Sequence, residues 1–317
     1  MRSTVLITGG AGFLGLELAR LLLEDGHSVI VYDNLSAKGV AELEPLQDGL
    51  TLVKGDVRDE AALLAVMEKY EPQAVYHLAA IHYIPYCQSH PLETLSINLV
   101  GTQAVLNACR SGMKRLVLTS SAAVYGPASH AHAEGDPVDP IDIYGLSKLF
   151  AEKLVDRFHR DTGVPCYIAR IFNVYGPGDT TPHLIPEVVQ QLAEDNVLHL
   201  GNMNTYRDFI HVTDVARALR LFLQPTEVDS GVFNIGSGSV YSSADVVEMA
   251  RSILSRPVRV ESRGERLRRA DRPFLQADAR KMGKVFGWTS QIHFRDGLAD
   301  LLRSAPNPAA DARRPPK

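Results

Sequence analysis

The sequence predicts an α/β fold, a doubly wound parallel sheet followed by a smaller C-terminal α/β lobe. Three observations carry this. Apolar, β-branched runs alternate with helix-length segments through residues 1–173. Repeated β-α units of this kind imply a parallel sheet with helices on both faces, double-wound by right-handed crossovers. The first strand-like run passes through a glycine-rich turn directly into a helix. Beyond residue 173 the alternation gives way to a Gly/Pro-rich stretch and short irregular pieces, as expected of a separate lobe.

The strands are TVLITG (4–9), HSVIVYD (27–33), LTLVKGD (50–56), AVYHLAA (74–80), RLVLTSS (115–121) and PCYIARIFN (165–173). LGLELARLLLEDG (14–26) has apolar residues at helical spacing and stops at Gly26. Two long segments, 92–112 and 144–163, read as helices, and a further helix is expected from about Leu184 to Asn196. GVFNIG (231–236) is again strand-like, and SSADVVEMARSILSR (242–256) opens with capping residues and reads as a helix. The domains expected are 1–173, with a returning segment near 205–236, and a lobe from 174–204 and 237–303. The last stretch, 304–317, is rich in Pro and Ala and too poor in apolar side chains to fold.

A chain of 317 residues suffices for one large α/β domain or two sharing a core. Apolar residues make up 45% and the net charge is −4, with no basic face broad enough for nucleic acid. No apolar run approaches a membrane span, and the N-terminus lacks a signal-peptide core. Cys87, Cys109 and Cys166 are far apart and odd in number, which argues for buried thiols in a reducing compartment and against a disulfide framework. A cytoplasmic protein is expected, and no histidine spacing suits a metal.

In TGGAGFLG (8–15), Gly9, Gly12 and Gly15 stand three apart between strand and helix. Glycines there permit a tight turn and let backbone approach a pyrophosphate at a helix N-terminus, the Rossmann-type arrangement, although a glycine-rich turn can also exist without a ligand. Asp33 ends the second strand 18 residues after Gly15. A carboxylate there takes the adenosine ribose hydroxyls and repels a 2′-phosphate, and the following Asn34-Leu35-Ser36 brings no arginine, so NAD is favoured over NADP. Asp56 is either an adenine contact or a helix N-cap.

Tyr144 and Lys148 share one helix face at i, i+4. An ammonium beside a phenol stabilises the phenolate, making a proton acceptor for an alcohol that loses hydride. With TGGAGFLG, DNLS, GDV, HLAA, TSSAAVYG, YGLSK, RIFNVYGP and RDFIHVTDVA in this order, the chain resembles the extended short-chain dehydrogenase/reductase family, nearest the nucleotide-sugar epimerases and dehydratases.

That resemblance implies a hydride-transfer triad of Ser121, Tyr144 and Lys148. It implies an NAD site walled by the glycine turn with Phe13 and Leu14, by Asn34, Asp56 and Val57, and by Leu78, Ala79 and Ala80. Asn98, Thr119 and Phe172 complete the implied cofactor contacts. In family members that lose water, decarboxylate or exchange ring protons, the two positions after the serine carry acid or base groups. Here they are Ala122 and Ala123, which cannot transfer a proton. What remains suits a 4-epimerase working through a transient 4-keto sugar.

The resemblance further implies that Asn173, Arg207 and Arg268 meet a nucleotide diphosphate and that Asp271 meets its ribose. Five arginines crowd 263–272, so Arg269 or Arg272 can take the place of Arg268. His82 stands where related epimerases have a cofactor-facing lysine, to contact NAD or substrate or simply to pack. His183 resembles an acid of 3,5-epimerisation, a role disfavoured because the matching cysteine is Ala123. The expectation is an NAD-dependent UDP-hexose or UDP-hexuronic acid 4-epimerase, an isomerase. A keto-sugar reductase or another epimerase of this fold is the alternative, with a non-enzymatic NAD-binding sensor a remote third. The resemblance also implies a homodimer through the 92–112 and 144–163 helices.

Overall fold

The computed structural model describes residues 3–36, 48–109, 113–262 and 272–305. Seven parallel strands form the main sheet: β1 (Thr4–Thr8), β2 (Ser28–Asp33), β3 (Leu50–Lys54), β4 (Ala74–His77), β5 (Arg115–Ser121), β6 (Cys166–Ile171) and β10 (Gly231–Ile235). Their order across the sheet is β10-β6-β5-β4-β1-β2-β3. Chain direction of travel reverses between β1 and β4, and a cleft at the carboxyl ends of strands on either side of such a point is where open α/β sheets take ligands.

Strand residues alternate between two cores. Val5, Ile7, Val29, Val31 and Val117 pack on one face with α1 (Phe13–Glu24), α8 (Val212–Leu221) and α10 (Arg280–Phe286). Leu6, Ile30, Leu116 and Leu118 pack on the other with α2 (Glu60–Tyr70), α5 (Gly101–Ala108) and α6 (Ile143–Thr162). Both faces are therefore apolar, which explains the near-continuous hydrophobic runs, each buried side chain contributing roughly 1.5–3 kcal/mol.

Three expectations change in detail. The 92–112 segment is a composite: α4 (Pro91–Leu95) passes through a π-helical turn, Ser96–Val100, into α5. The 165–173 strand breaks at Phe172: β6 stays in the main sheet, while β7 (Asn173–Tyr175) pairs with β9 (Tyr206–His211). The pieces beyond residue 196 are short strands. β11 (Val240–Ser242) and β13 (Phe274–Leu275) flank β9, and β8 (Val197–Leu200) pairs with β12 (Arg259–Ser262).

The lobe core, with Ile185, Val188, Val246, Phe294 and Leu298, is closed by α7 (Leu184–Glu194), α9 (Ser243–Leu254) and α11 (Phe294–Ser304). The segment returning to the main domain is α8 with β10, whereas 206–211 belongs to the lobe sheet. Met282 and Trp288 also pack on the main sheet, so the predicted lobe boundaries 237–303 include a second return. Among the described residues no helix is long and apolar enough to cross a membrane.

Candidate active site

A cleft of about 930 Å³ runs along the carboxyl ends of β1, β2, β4 and β5 and under the lobe. At one end, Gly9 adopts φ +71°, and a Cβ there would meet the Ala79 nitrogen at 2.6 Å. A Cβ on Gly15 would lie 2.5 Å from the Gly9 carbonyl oxygen. These two glycines close the turn. Gly12 differs: its nearest neighbour for an added Cβ is the Gly9 oxygen at 3.3 Å, and it faces the cleft. It is the N-cap of α1, and no side chain caps that helix. The first-turn N–H groups are left to an anion, so the donor set suits a pyrophosphate.

Phe13 and Leu14 line the same end, as do Asn34, Val57, Leu78, Ala79 and Ala80. Asp33 braces the turn, its carboxylate accepting from Ala11 N at 3.0 Å and Leu35 N at 2.7 Å. Asp56 faces the cleft but does not cap α2; Asp59 does, accepting from Ala62 N. Asp56 instead accepts from the Arg58 backbone and guanidinium, and that hydrogen bonding holds its carboxyl below the usual range.

Asn98, an expected cofactor contact, lies behind the cleft wall. It sits on the π-helical turn, buried, and does not line the cleft. Its amide donates to Ile81 O and Ser147 Oγ, each at 2.9 Å, and accepts from Ile81 N at 2.8 Å. Its amide is thereby committed to holding the loop after β4 against α6.

At the centre, β5 ends on Ser121, which accepts from Ala123 N at 3.1 Å and opens a 3₁₀ turn over Ala122–Val124. Ala122 and Ala123 are buried on the cleft wall. Tyr144 and Lys148 project from the first turns of α6, whose N-cap Asp142 accepts from Gly145 N at 2.8 Å. The sequence carried this signal, an aspartate three residues before the bonded amide, and it went unused.

Lys148 is buried and donates to the Thr119 carbonyl at 2.9 Å; burial lowers its pKa to about 8. The expected depression of Tyr144 by Lys148 is not what the protein groups produce. Burial pushes the phenol up, and the Ser121 hydroxyl at the end of β5 opposes that push. The Lys148 Nζ lies 6.0 Å from the phenol ring centroid and is directed at Thr119.

Phe172 and Asn173 form the floor beside the triad. The Asn173 Oδ1 is buried without a hydrogen-bond partner, and the residue lines the cleft where β7 begins. His82 and His183 face the cleft from the loop after β4 and the N-cap of α7, their rings 5.9 Å apart. Nothing in their spacing, 101 residues in sequence, signalled that they meet. Arg207 lines the lobe side and donates to the Arg272 carbonyl at 2.7 Å. Arg268 and Asp271 lie outside the described residues.

The GDP-mannose 4,6 dehydratase family profile matches residues 6–301. The UDP-glucose 4-epimerase of Halalkalibacterium halodurans is 32% identical over 305 residues, covering 90% of each chain. The chain belongs to the extended short-chain dehydrogenase/reductase family, in its nucleotide-sugar epimerase/dehydratase branch. Among solved structures, the UDP-glucose 4-epimerase from Brucella ovis in complex with NAD is 32% identical, with TM-score 0.86 over 96% of this chain and 97% of that one. MoeE5 in complex with UDP-glucuronic acid and NAD is 31% identical, with TM-score 0.83 over 95% and 99%.

Proposed function

We propose that this protein is an NAD-dependent UDP-sugar 4-epimerase acting on a UDP-hexose or UDP-hexuronic acid. The observation that carries it is a complete hydride-transfer triad beside two buried alanines. Ser121, Tyr144 and Lys148 converge, while the neighbouring wall at Ala122 and Ala123 offers only methyl groups. The matched relatives named UDP-glucose 4-epimerase, and NAD in the Brucella and MoeE5 complexes, support the same reading.

The glycine turn and the α1 N-terminus would hold the pyrophosphate of NAD, Asp33 would take its adenosine ribose, and Lys148 would reach its nicotinamide ribose. NAD held there would supply the hydride acceptor and donor for the sugar C4. Tyr144 removes the 4-hydroxyl proton as phenolate, a form that the positive nicotinamide of NAD beside it would favour against the burial that opposes it, and Ser121 orients that hydroxyl. The 4-keto sugar turns over and presents its other face, and Tyr144 gives the proton back. Asn173 and Arg207 hold the diphosphate. Arginine suits this because its planar fork donates in pairs.

We further propose a homodimer. Leu92 on α4, Val100 on the π-helical turn and Phe150 on α6 are 83%, 55% and 45% exposed, an apolar patch on the two helices the family pairs. The three cysteines are free and buried, in keeping with a cytoplasmic location.

Proton NMR in D₂O with a panel of nucleotide sugars and no added cofactor tests the activity. A C4 epimer without ring deuterium is expected. Deuterium at C3 or C5 overturns the hydride route and shifts attention to His183, and consumption only of keto sugars with added NADH makes it a reductase.

A further inference from the structure

One guanidinium joins the lobe to both halves of the triad. Arg272 is the first described residue after 262 and enters the site just before β13. It is 6% exposed. Its Nε donates to the Tyr125 carbonyl at 2.8 Å, one terminal nitrogen to the Ala123 carbonyl at 2.7 Å and the other to Asp142 Oδ2 at 3.2 Å. The first two acceptors belong to the turn that follows Ser121, and the third is the N-cap of the helix that carries Tyr144.

These acceptors matter because of what they hold in turn. Ala123 N donates to Ser121 Oγ, so the position of residue 123 fixes the serine hydroxyl. The Ala123 carbonyl also packs against Gly145, where an added Cβ would stand only 2.2 Å from its oxygen. Asp142 accepts from Gly145 N through its other oxygen. The serine turn and the start of α6 thus touch at Ala123 and Gly145, and Arg272 binds both sides of that contact. On its other side, the Arg272 carbonyl accepts from Arg207. A flat fork that fills three acceptors in fixed directions is what arginine supplies and lysine does not.

We propose that Arg272 is a positioning residue, through which the lobe locks the Ser121 turn onto the Tyr144 helix. This rests on the epimerase reading above. It touches no reacting atom; it sets the distance at which Ser121 meets the Tyr144 phenol. The Ser121 hydroxyl opposes the upward push of burial on Tyr144 and the Asp142 carboxylate adds to that push, so freeing the Ser121 turn and unpairing Asp142 both raise the pH at which the phenolate forms.

The test compares R272M, R272K and S121A, singly and as the R272M/S121A double variant, by kcat, KM and the pH profile of kcat. Wild-type turnover of UDP-sugars is established first, so a wild type inactive on every sugar fails the function reading and not this one. For R272M we expect kcat to fall about 30- to 100-fold, with bound NAD retained and KM changed less than about 3-fold. The acid limb of the pH profile should move alkaline by about one unit. In the S121A background R272M should cost much less than it does alone, since most of its effect passes through the placement of the Ser121 hydroxyl and only the unpaired Asp142 remains. R272K, which keeps the charge and one donor direction, should fall between, and it carries the comparison if R272M does not fold. Wild-type kcat and pH profile in the arginine variants overturn the proposal. So does full additivity with S121A, or a loss confined to thermal stability and NAD content.

Discussion

The two walls of the cleft are made of different material. On the dinucleotide side the surface is largely backbone: a turn closed by Gly9 and Gly15, the open N-terminus of α1, and Asp33 spent on bracing the turn. On the triad side it is side chains, held by neighbours from β5, α6 and β7 and by Arg272, two residues before β13. A backbone wall tolerates little at its glycines and much elsewhere. A side-chain wall depends on groups that are individually replaceable and collectively exact in placement. The two walls should therefore fail separately when mutated.

The largest effect is expected from Tyr144→Phe. It removes the proton acceptor and leaves the ring, so kcat should fall on the order of 10³-fold. Protein purified from the same expression should carry as much NAD as wild type, measured after acid release. Loss of NAD along with activity would mean the walls are not separable. Gly12→Val is the converse. Its Cβ meets only the Gly9 oxygen, at 3.3 Å, so the fold should survive while a branched side chain fills the pyrophosphate cradle. NAD content should drop by about 100-fold, since one lost cradle of N–H contacts is worth two decades in affinity, and the thermal midpoint should match that of NAD-stripped wild type. A collapsed midpoint would show that residue 12 is closing the turn as residue 15 does.

This difference in material also decides what the sequence revealed. The glycine turn was legible because its geometry demands a residue type at each position, and those positions are contiguous. The same holds for Tyr144 and Lys148, which one helix brings together. The substrate side was not. β7, β9 and β13 are three residues, six and two long, and each reaches its partner across dozens of residues, so no periodicity marks them. Asn98 shows another limit: the π-helical turn directs its amide to Ile81, a contact that its place in the chain does not mark. Arg272 was one of five arginines in ten residues, and only its burial against Ala123, Tyr125 and Asp142 separates it from the rest.

A smaller effect sharpens the comparison on the substrate side. Asn173→Ala removes a buried amide whose oxygen has no protein partner, so the free protein loses little. If the amide nitrogen donates to the diphosphate, KM for the UDP-sugar should rise about 10-fold, the worth of one hydrogen bond to a charged group. The thermal midpoint without sugar should stay put or rise. An unchanged KM would remove Asn173 from the substrate wall.

The smallest shift concerns stability and pH. Lys148 is buried, and its pKa of about 8 lies below the ordinary 10.5. Between those values the unfolded chain holds a proton that the folded one has released, so this residue makes stability rise with pH across that window. Below pH 8 the full cost of the buried ammonium is present, on the order of 3 kcal/mol. Lys148→Met removes that cost and also leaves the Thr119 carbonyl without its donor, so the variant's midpoint at one pH decides nothing. The pH dependence of the difference does. The midpoint of Lys148→Met minus that of wild type should fall by several degrees between pH 7 and pH 9.5. A flat difference would mean the lysine is solvated in practice. A falling one would show that the side-chain wall is maintained against its own stability, a cost the glycine turn does not carry.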